Sequence, residues 1–138
     1  MFVLCHELVT KNMIYLFGTG SYKGNRKAFK IGYTDKKEDR TGAYKLHNPL
    51  GEFLGWRDGD KILEEKLHLR LKDYKEEFLD EWFYSEEDVE KIFNETEEEI
   101  DRWLWDNRGD IFFASQLPAP GTIKRQILDQ LAKNNKEK

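Results

Sequence analysis

Alternating apolar and polar residues in the first half of the chain predict a small sheet. A short apolar run at 13–17 predicts one strand, and alternation over 29–34 predicts a second. The connection at 18–27 is polar and glycine-rich, which is typical of a hairpin with a long turn. The stretch at 52–57 predicts a third strand.

Helical spacing dominates the rest of the chain. Asp35, with Glu38 three residues later, predicts a helix that runs to about His47. Ser85 with Asp88 predicts the start of one long helix that continues through Leu104 and stops at Gly109. The other predicted elements are a leucine-striped helix over 63–74 whose N-cap comes from the turn Asp58, Gly59 and Asp60, short extended pieces at 81–84 and 110–114, and a final amphipathic helix at 123–131.

This order of elements predicts an α+β fold. We expect a small antiparallel or mixed sheet of about three strands, flanked by helices. The chain has 138 residues, which is enough for one core and too few for two independent globular domains.

Composition narrows the cellular setting. With 36% charged residues, the chain contains no apolar stretch long enough to cross a membrane. The first ten residues lack the features of a signal peptide, and the single Cys5 cannot form an internal disulfide. We therefore expect a cytoplasmic protein that has no membrane partner.

The net charge of −4 conceals an asymmetry along the chain. Residues 1–75 hold 15 Lys and Arg against 10 Asp and Glu, whereas residues 76–138 hold 8 against 17. Cations mixed with tyrosines in the first half suit nucleic-acid binding, although ordinary surface and core positions explain the same composition. The acidic run at 95–99 is read as a solvated helix face, with a mask over the basic half as the alternative.

Six short motifs occur in a fixed order between residues 13 and 84. They are Ile14-Tyr15, Lys30-Ile31-Gly32, Arg40, Asn48-Pro49, Glu64 with Leu67-His68, and Glu81-Trp82-Phe83. Together they resemble the motifs of the GIY-YIG nuclease superfamily, in its branch of phage, restriction-linked and meiosis-associated proteins whose second motif reads Lys-Ile-Gly. Two departures are Met13 in place of a glycine and Lys30 in place of a tyrosine.

This resemblance implies a metal-dependent endonuclease that hydrolyses phosphodiester bonds in DNA, RNA not being excluded. Tyr15 would be the general base, and Lys30 on the paired strand would favour its phenolate. Arg40 would grip the scissile phosphate, and Glu64 would be the sole protein ligand of one Mg²⁺ or Mn²⁺ ion. Tyr33 would hold the water or a phosphate oxygen.

The resemblance covers about residues 13–84 and implies a catalytic core at 1–84. Residues 85–138 lie outside it, and we expect them to form an acidic helical extension packed on the core. Five further side chains are expected to contact nucleic acid: Lys27, Tyr44, Lys45, His47 and His68.

Every candidate residue also has a structural interpretation. Tyr15 suits a core position, Lys30 and Arg40 suit solvated surfaces, and Glu64 suits a surface ion pair, for instance with His68. Two other functions therefore stay open: a nucleic-acid-binding module without activity, and a regulatory protein that meets a partner through its acidic half. Homodimerisation is also possible, because one active site cuts one strand at a time.

Overall fold

A four-stranded antiparallel sheet forms the centre of the computed structural model, which describes residues 12–22, 26–35, 51–75, 82–113 and 115–136. The spatial order of the strands is β3-β1-β2-β4. The α+β prediction is confirmed, with a short fourth strand at the sheet edge. The strands are β1 (Met13–Tyr22), β2 (Arg26–Thr34), β3 (Glu52–Asp58) and β4 (Trp82–Phe83).

Helices follow the third strand and pack on one face of the sheet. None of the helices in the described ranges is both long enough and apolar enough to cross a bilayer. A 3-10 helix at Lys72–Tyr74 continues the first of them. The α-helices are α1 (Lys61–Arg70), α2 (Glu86–Phe93), α3 (Glu97–Asp106), α4 (Arg108–Phe112) and α5 (Ile123–Lys136).

The pairing of β1 with β2 sets the two faces of the sheet. Tyr15 lies opposite Gly32 and Phe17 lies opposite Lys30. Because successive side chains of a strand point to opposite faces, these four positions share one face. Their neighbours in sequence point to the other face, toward the helices.

A single hydrophobic core fills the space between sheet and helices, and it draws residues from both halves of the chain. Burial of each large aliphatic side chain contributes about 1.5–3 kcal/mol, so this layer is the main source of stability. Its nearly inaccessible members include Ile14, Leu16, Phe29, Ile31, Leu67, Val89, Ile100, Leu104, Ile127 and Leu131.

An aromatic cluster occupies the opposite face of the sheet. The Phe53 ring stacks on the Trp56 ring with centroids 4.9 Å apart, and the Tyr15 ring lies 5.7 Å from each of them. Phe17 contacts Phe53 edge-on at 4.9 Å. Edge-on and offset contacts of this kind are the favourable geometries for aromatic pairs.

The local predictions for α1 are confirmed. The Asp60 side chain accepts a hydrogen bond from the Leu63 backbone N–H at 3.0 Å, as expected of an N-cap. Leu63, Leu67 and Leu71 are buried, as their spacing predicts. A helix was predicted to run from Asp35 to about His47. Of that segment, only Asp35 is among the described residues.

The prediction of one long helix after Ser85 is wrong, because the chain breaks between α2 and α3. Thr96 is an N-cap whose side chain accepts from the Glu99 backbone N–H at 3.1 Å. Arg57 on β3 donates to the carbonyl oxygens of Phe93 and Glu95, at 2.6 and 2.8 Å. The Thr96 cap stabilises the start of α3, and the Arg57 hydrogen bonds stabilise the chain at the end of α2. The bond from Arg57 to Glu95 joins residues that are 38 positions apart.

Two further predictions near residue 110 are also wrong. Of the segment predicted to be extended at 110–114, residues 110–112 belong to helix α4, which buries Ile111 and Phe112 in the core. Gly109 lies inside α4 and therefore does not end the preceding helix. The apolar pair Ile111-Phe112 fits a buried helical turn as well as a strand, so its sequence alone does not separate the two.

Part of the acidic run at 95–99 pairs with cations of α1. Glu95 receives two hydrogen bonds from the Arg70 guanidinium, at 3.0 and 3.1 Å. Lys66, only 3% exposed, lies 3.1 Å from Glu97 and 2.9 Å from Asp101. Burial on its own lowers the pKa of Lys66, but Asp101 and Glu97 outweigh it, and the pKa is raised above its ordinary value.

We predict that Lys66→Met destabilises the fold, because it removes the buried ammonium group that Asp101 and the more exposed Glu97 share. The expected loss is about 1–3 kcal/mol in the free energy of unfolding. Urea denaturation followed by circular dichroism measures it. Lys91→Met, at an exposed position of α2, is the control and should change stability by less than about 0.5 kcal/mol. Equal stability of the two variants would contradict the prediction.

Candidate functional site

β4 pairs with the outer edge of β2 along only part of its length. β4 pairs with β2 only at Phe29 and Lys30, so no strand of the described chain continues this pairing along Ile31 to Thr34. His68 on α1 takes part of that place, because its Nε2 lies 2.7 Å from the Ile31 carbonyl oxygen. The carbonyl can only accept, so the imidazole carries its proton on Nε2 and donates.

A cleft of about 540 Å³ opens at this edge, and we call it the edge cleft. It is bounded on one side by the outer face of the β1–β2 hairpin and on the other by the first turn of α1. Its lining residues are Tyr15, Lys30, Gly32, Tyr33, Thr34, Asp35, Lys61 and Glu64.

Tyr15 reaches the edge cleft by crossing over Gly32. A Cβ atom added to Gly32 would overlap the Tyr15 hydroxyl and would lie only 2.9 Å from Cε2 of its ring. The ring is otherwise enclosed by the aromatic cluster, and the residue is 2% exposed. The absence of a side chain at Gly32 therefore allows a buried tyrosine to place its hydroxyl at the cleft.

Lys30 lies on the same face of the sheet as Tyr15. It is opposite Phe17, so it is a diagonal neighbour of Tyr15 across the hairpin, within reach of a long side chain. Its Nζ lies 6.0 Å from the centre of the Trp82 ring, and both Lys30 and Tyr15 line the cleft.

Tyr33 lines the cleft from the opposite face of β2. Its hydroxyl donates to Oδ1 of Asn12 at 2.9 Å. Partial burial and the nearby carboxylates of Asp35, Asp60 and Glu64 raise the pKa of this phenol above its ordinary value. Tyr33 therefore stays protonated at neutral and mildly alkaline pH and is suited to orient a ligand, not to remove a proton.

Glu64 belongs to the first turn of α1, which Asp60 caps. Magnesium prefers one or two carboxylates together with waters and substrate phosphates, so a single glutamate in an open cleft fits this ion. No group of three or more His, Cys, Asp or Glu side chains within the described ranges could hold a metal. Within the described ranges, a magnesium ion at Glu64 would therefore take most of its ligands from water and substrate.

Residues 12–104, which include most of the described structure, match the family model of the T5orf172 domain. The chain belongs to the T5orf172 domain family. This family is distinct from the GIY-YIG nuclease superfamily, so the assignment based on the Ile14-Tyr15 and Lys30-Ile31-Gly32 motifs is wrong.

The T5orf172 family is one of nuclease-like, DNA-binding domains. The matched region begins just before β1 and extends beyond residue 84, the predicted end of the core. It includes all of α2 and most of α3. No curated protein and no solved structure matches the chain.

The edge cleft of this T5orf172 domain brings together four of the predicted site residues: Tyr15, Lys30, Tyr33 and Glu64. Of the residues predicted to contact nucleic acid, Lys27 is exposed on β2. His68 bonds to the β2 backbone and lines a different cavity of about 340 Å³. The other predicted residues, Arg40, Tyr44, Lys45 and His47, lie outside the described residues, as do Asn48, Pro49 and Glu81.

The sequence did not indicate that three further residues line the cleft. They are Thr34, Lys61 and Asp35, the last of which was noted only as the start of a helix. Lys61 lies three residues before Glu64, so helical spacing places both on neighbouring surface of α1 and could have indicated it. Gly32 was noted only as part of a motif. Its packing role depends on the strand register, which the sequence pattern does not fix.

We predict that Gly32→Ala destabilises the domain, although alanine is normally the better residue in a strand. The added methyl group displaces the Tyr15 ring, and overpacking of this kind costs about 1–3 kcal/mol. Chemical denaturation measures the loss. Gly109→Ala is the control, since nothing lies within 4 Å of its added Cβ. A Gly32→Ala protein as stable as the control would show that the close approach of Tyr15 does not exist.

Proposed function

We propose that this T5orf172 domain is a magnesium-dependent endonuclease that hydrolyses phosphodiester bonds in DNA at the edge cleft. The support comes from one observation above the others. A phenol, an ammonium group and a carboxylate, from β1, β2 and α1, line a single open cleft of a DNA-binding domain.

Tyr15 is the proposed general base. It takes a proton from water while the water oxygen bonds to phosphorus and the bond to the leaving sugar oxygen breaks. The ordinary pKa of a tyrosine is near 10, so the phenolate needs a nearby positive charge. Among the described residues, Lys30 on the same face of the hairpin is a cation within reach of it.

Tyr33 is the proposed positioning group for the water. Its own proton is directed to Asn12, which leaves the phenol oxygen to accept a hydrogen bond. A raised pKa keeps this residue neutral, so the two tyrosines have different tasks: one removes a proton and the other orients the nucleophile.

Glu64 is the proposed ligand of the magnesium ion. When bound, the ion supplies positive charge that stabilises the charge gathering on the phosphate. Arg40 is the predicted second source of positive charge, and its place in the site remains a prediction because it lies outside the described residues.

A second candidate function is DNA binding without cleavage. The burial of Tyr15 favours it, because a phenol that is 2% exposed and packed among aromatic rings also suits a purely structural role. The two candidates predict different effects of a substitution such as Tyr15→Phe, which removes a single oxygen atom from the cleft. Only the nuclease candidate predicts that strand breakage is lost.

The test is nicking of supercoiled plasmid by the whole chain in the presence of Mg²⁺. Glu64→Gln should lower the rate at least about 100-fold, because it removes the ligand charge, and Tyr15→Phe should do the same without weakening DNA binding. Glu65→Gln is the matched control, since Glu65 is on the same helix but lines the other cavity, and it should cut normally.

The outcomes separate the two candidates. Normal cutting by Glu64→Gln would reject the proposed metal ligand. Tight DNA binding by the wild-type protein, without nicking in Mg²⁺ or Mn²⁺, would favour the second candidate and reject the nuclease.

A further inference from the structure

Lys61 occupies an unusual position at the mouth of the edge cleft. It is the first residue of α1, it is exposed, and it lines the cleft together with Glu64 one turn later. Its Nζ lies 5.7 Å from the centre of the Tyr33 ring, a distance typical of a cation–π contact.

The Tyr33 ring is itself held in place. It extends from β2, and its hydroxyl is hydrogen-bonded to Asn12 at 2.9 Å. The ring is therefore a fixed surface, and contact with it directs a flexible lysine side chain over the cleft instead of into bulk solvent.

Three carboxylates lie near the Tyr33 ring that Lys61 contacts. Asp35, Asp60 and Glu64 are close enough to the Tyr33 hydroxyl to raise its pKa. Lys61 nevertheless forms no ion pair or hydrogen bond through its side chain with any residue in the described part of the chain, and its contact there is with the ring. An ammonium group resting on an aromatic face keeps its charge available to an incoming anion.

A second lysine borders the same cleft from the opposite side. Lys30 extends from the outer face of β2, whereas Lys61 comes from α1 on the helical side. The cleft beside β2 therefore has an ammonium group on each side. Two cations on opposite sides of one cleft suit a polyanion that passes between them better than a single small anion.

We propose that Lys61, held over the Tyr33 ring, binds a backbone phosphate of the DNA that enters the edge cleft. The proposal rests on the DNA-binding part of the proposed function and not on cleavage. Lys61 is thus a substrate-binding residue, and the Tyr33 ring is the residue that positions it.

The test is equilibrium binding of a fluorescent DNA duplex to the whole chain by anisotropy, without divalent metal and over a series of salt concentrations. Lys61→Met should weaken binding by about five- to tenfold and lower the slope of log K against log salt by about 0.9, the value for one phosphate contact. Lys61→Arg should retain binding. Lys91→Met, on α2, is the control and should change neither quantity.

Variants of Tyr33 test the positioning role. Tyr33→Phe keeps the ring and should bind within about threefold of wild type, whereas Tyr33→Leu should match Lys61→Met. The double variant Lys61→Met with Tyr33→Leu should be no weaker than either single variant, because both remove the same contact.

Unchanged affinity and salt slope in Lys61→Met would overturn the proposal, whatever the state of folding of the Tyr33 variants. Equal losses in Tyr33→Phe and Tyr33→Leu would overturn the role of the ring. Because binding is measured without metal, a failure of the nuclease proposal, seen as binding without nicking, is distinguishable from a failure here.

Discussion

The close approach of the Tyr15 ring to the backbone of Gly32 is the contact on which the candidate site depends. One strand supplies a large aromatic side chain, and the partner strand supplies the only residue type with no side chain to obstruct it. The ring gains burial among aromatic neighbours, while its hydroxyl reaches a polar cleft. A single residue thus belongs both to the packing of the sheet and to the cleft, which is what the proposed role of a buried tyrosine requires.

The second constraint is the short length of β4. Because this strand pairs with only two residues of β2, the rest of that edge is left to α1 and the edge cleft. His68 bonds to the strand from the helical side, while Lys61 and Glu64 border the cleft from the first turn of the same helix. Groups on opposite faces of a sheet are normally separated by it, and they meet here because no strand of the described chain pairs with this edge of β2 beyond Lys30.

Local sequence patterns predicted most of the helices and strands. Contacts between residues far apart in the chain determine the features that those patterns missed. The Asp60 cap and the leucines of α1 follow from spacing within a few residues. The break between α2 and α3 depends on Thr96 and also on Arg57, a residue of β3 that the local pattern does not include. The candidate site shows the same difference. Tyr15 and Glu64 were identified as candidates from the sequence. The packing role of Gly32 depends on the register of the β1–β2 hairpin, whose pairing shifts between Gly18 and Ser21. The short motifs were present, yet they led to the wrong family.

The central claim is that Tyr15, Gly32 and Glu64 meet at one cleft that accepts a divalent ion. Paramagnetic broadening of backbone amide signals by substoichiometric Mn²⁺ tests it most directly, because the effect falls off steeply with distance from the ion. The account predicts selective broadening of Gly32, Tyr33 and Glu64 in the wild-type protein and its loss in Glu64→Gln. Broadening centred on the acidic residues 97–99 of α3, with the β2 edge unaffected, would contradict it.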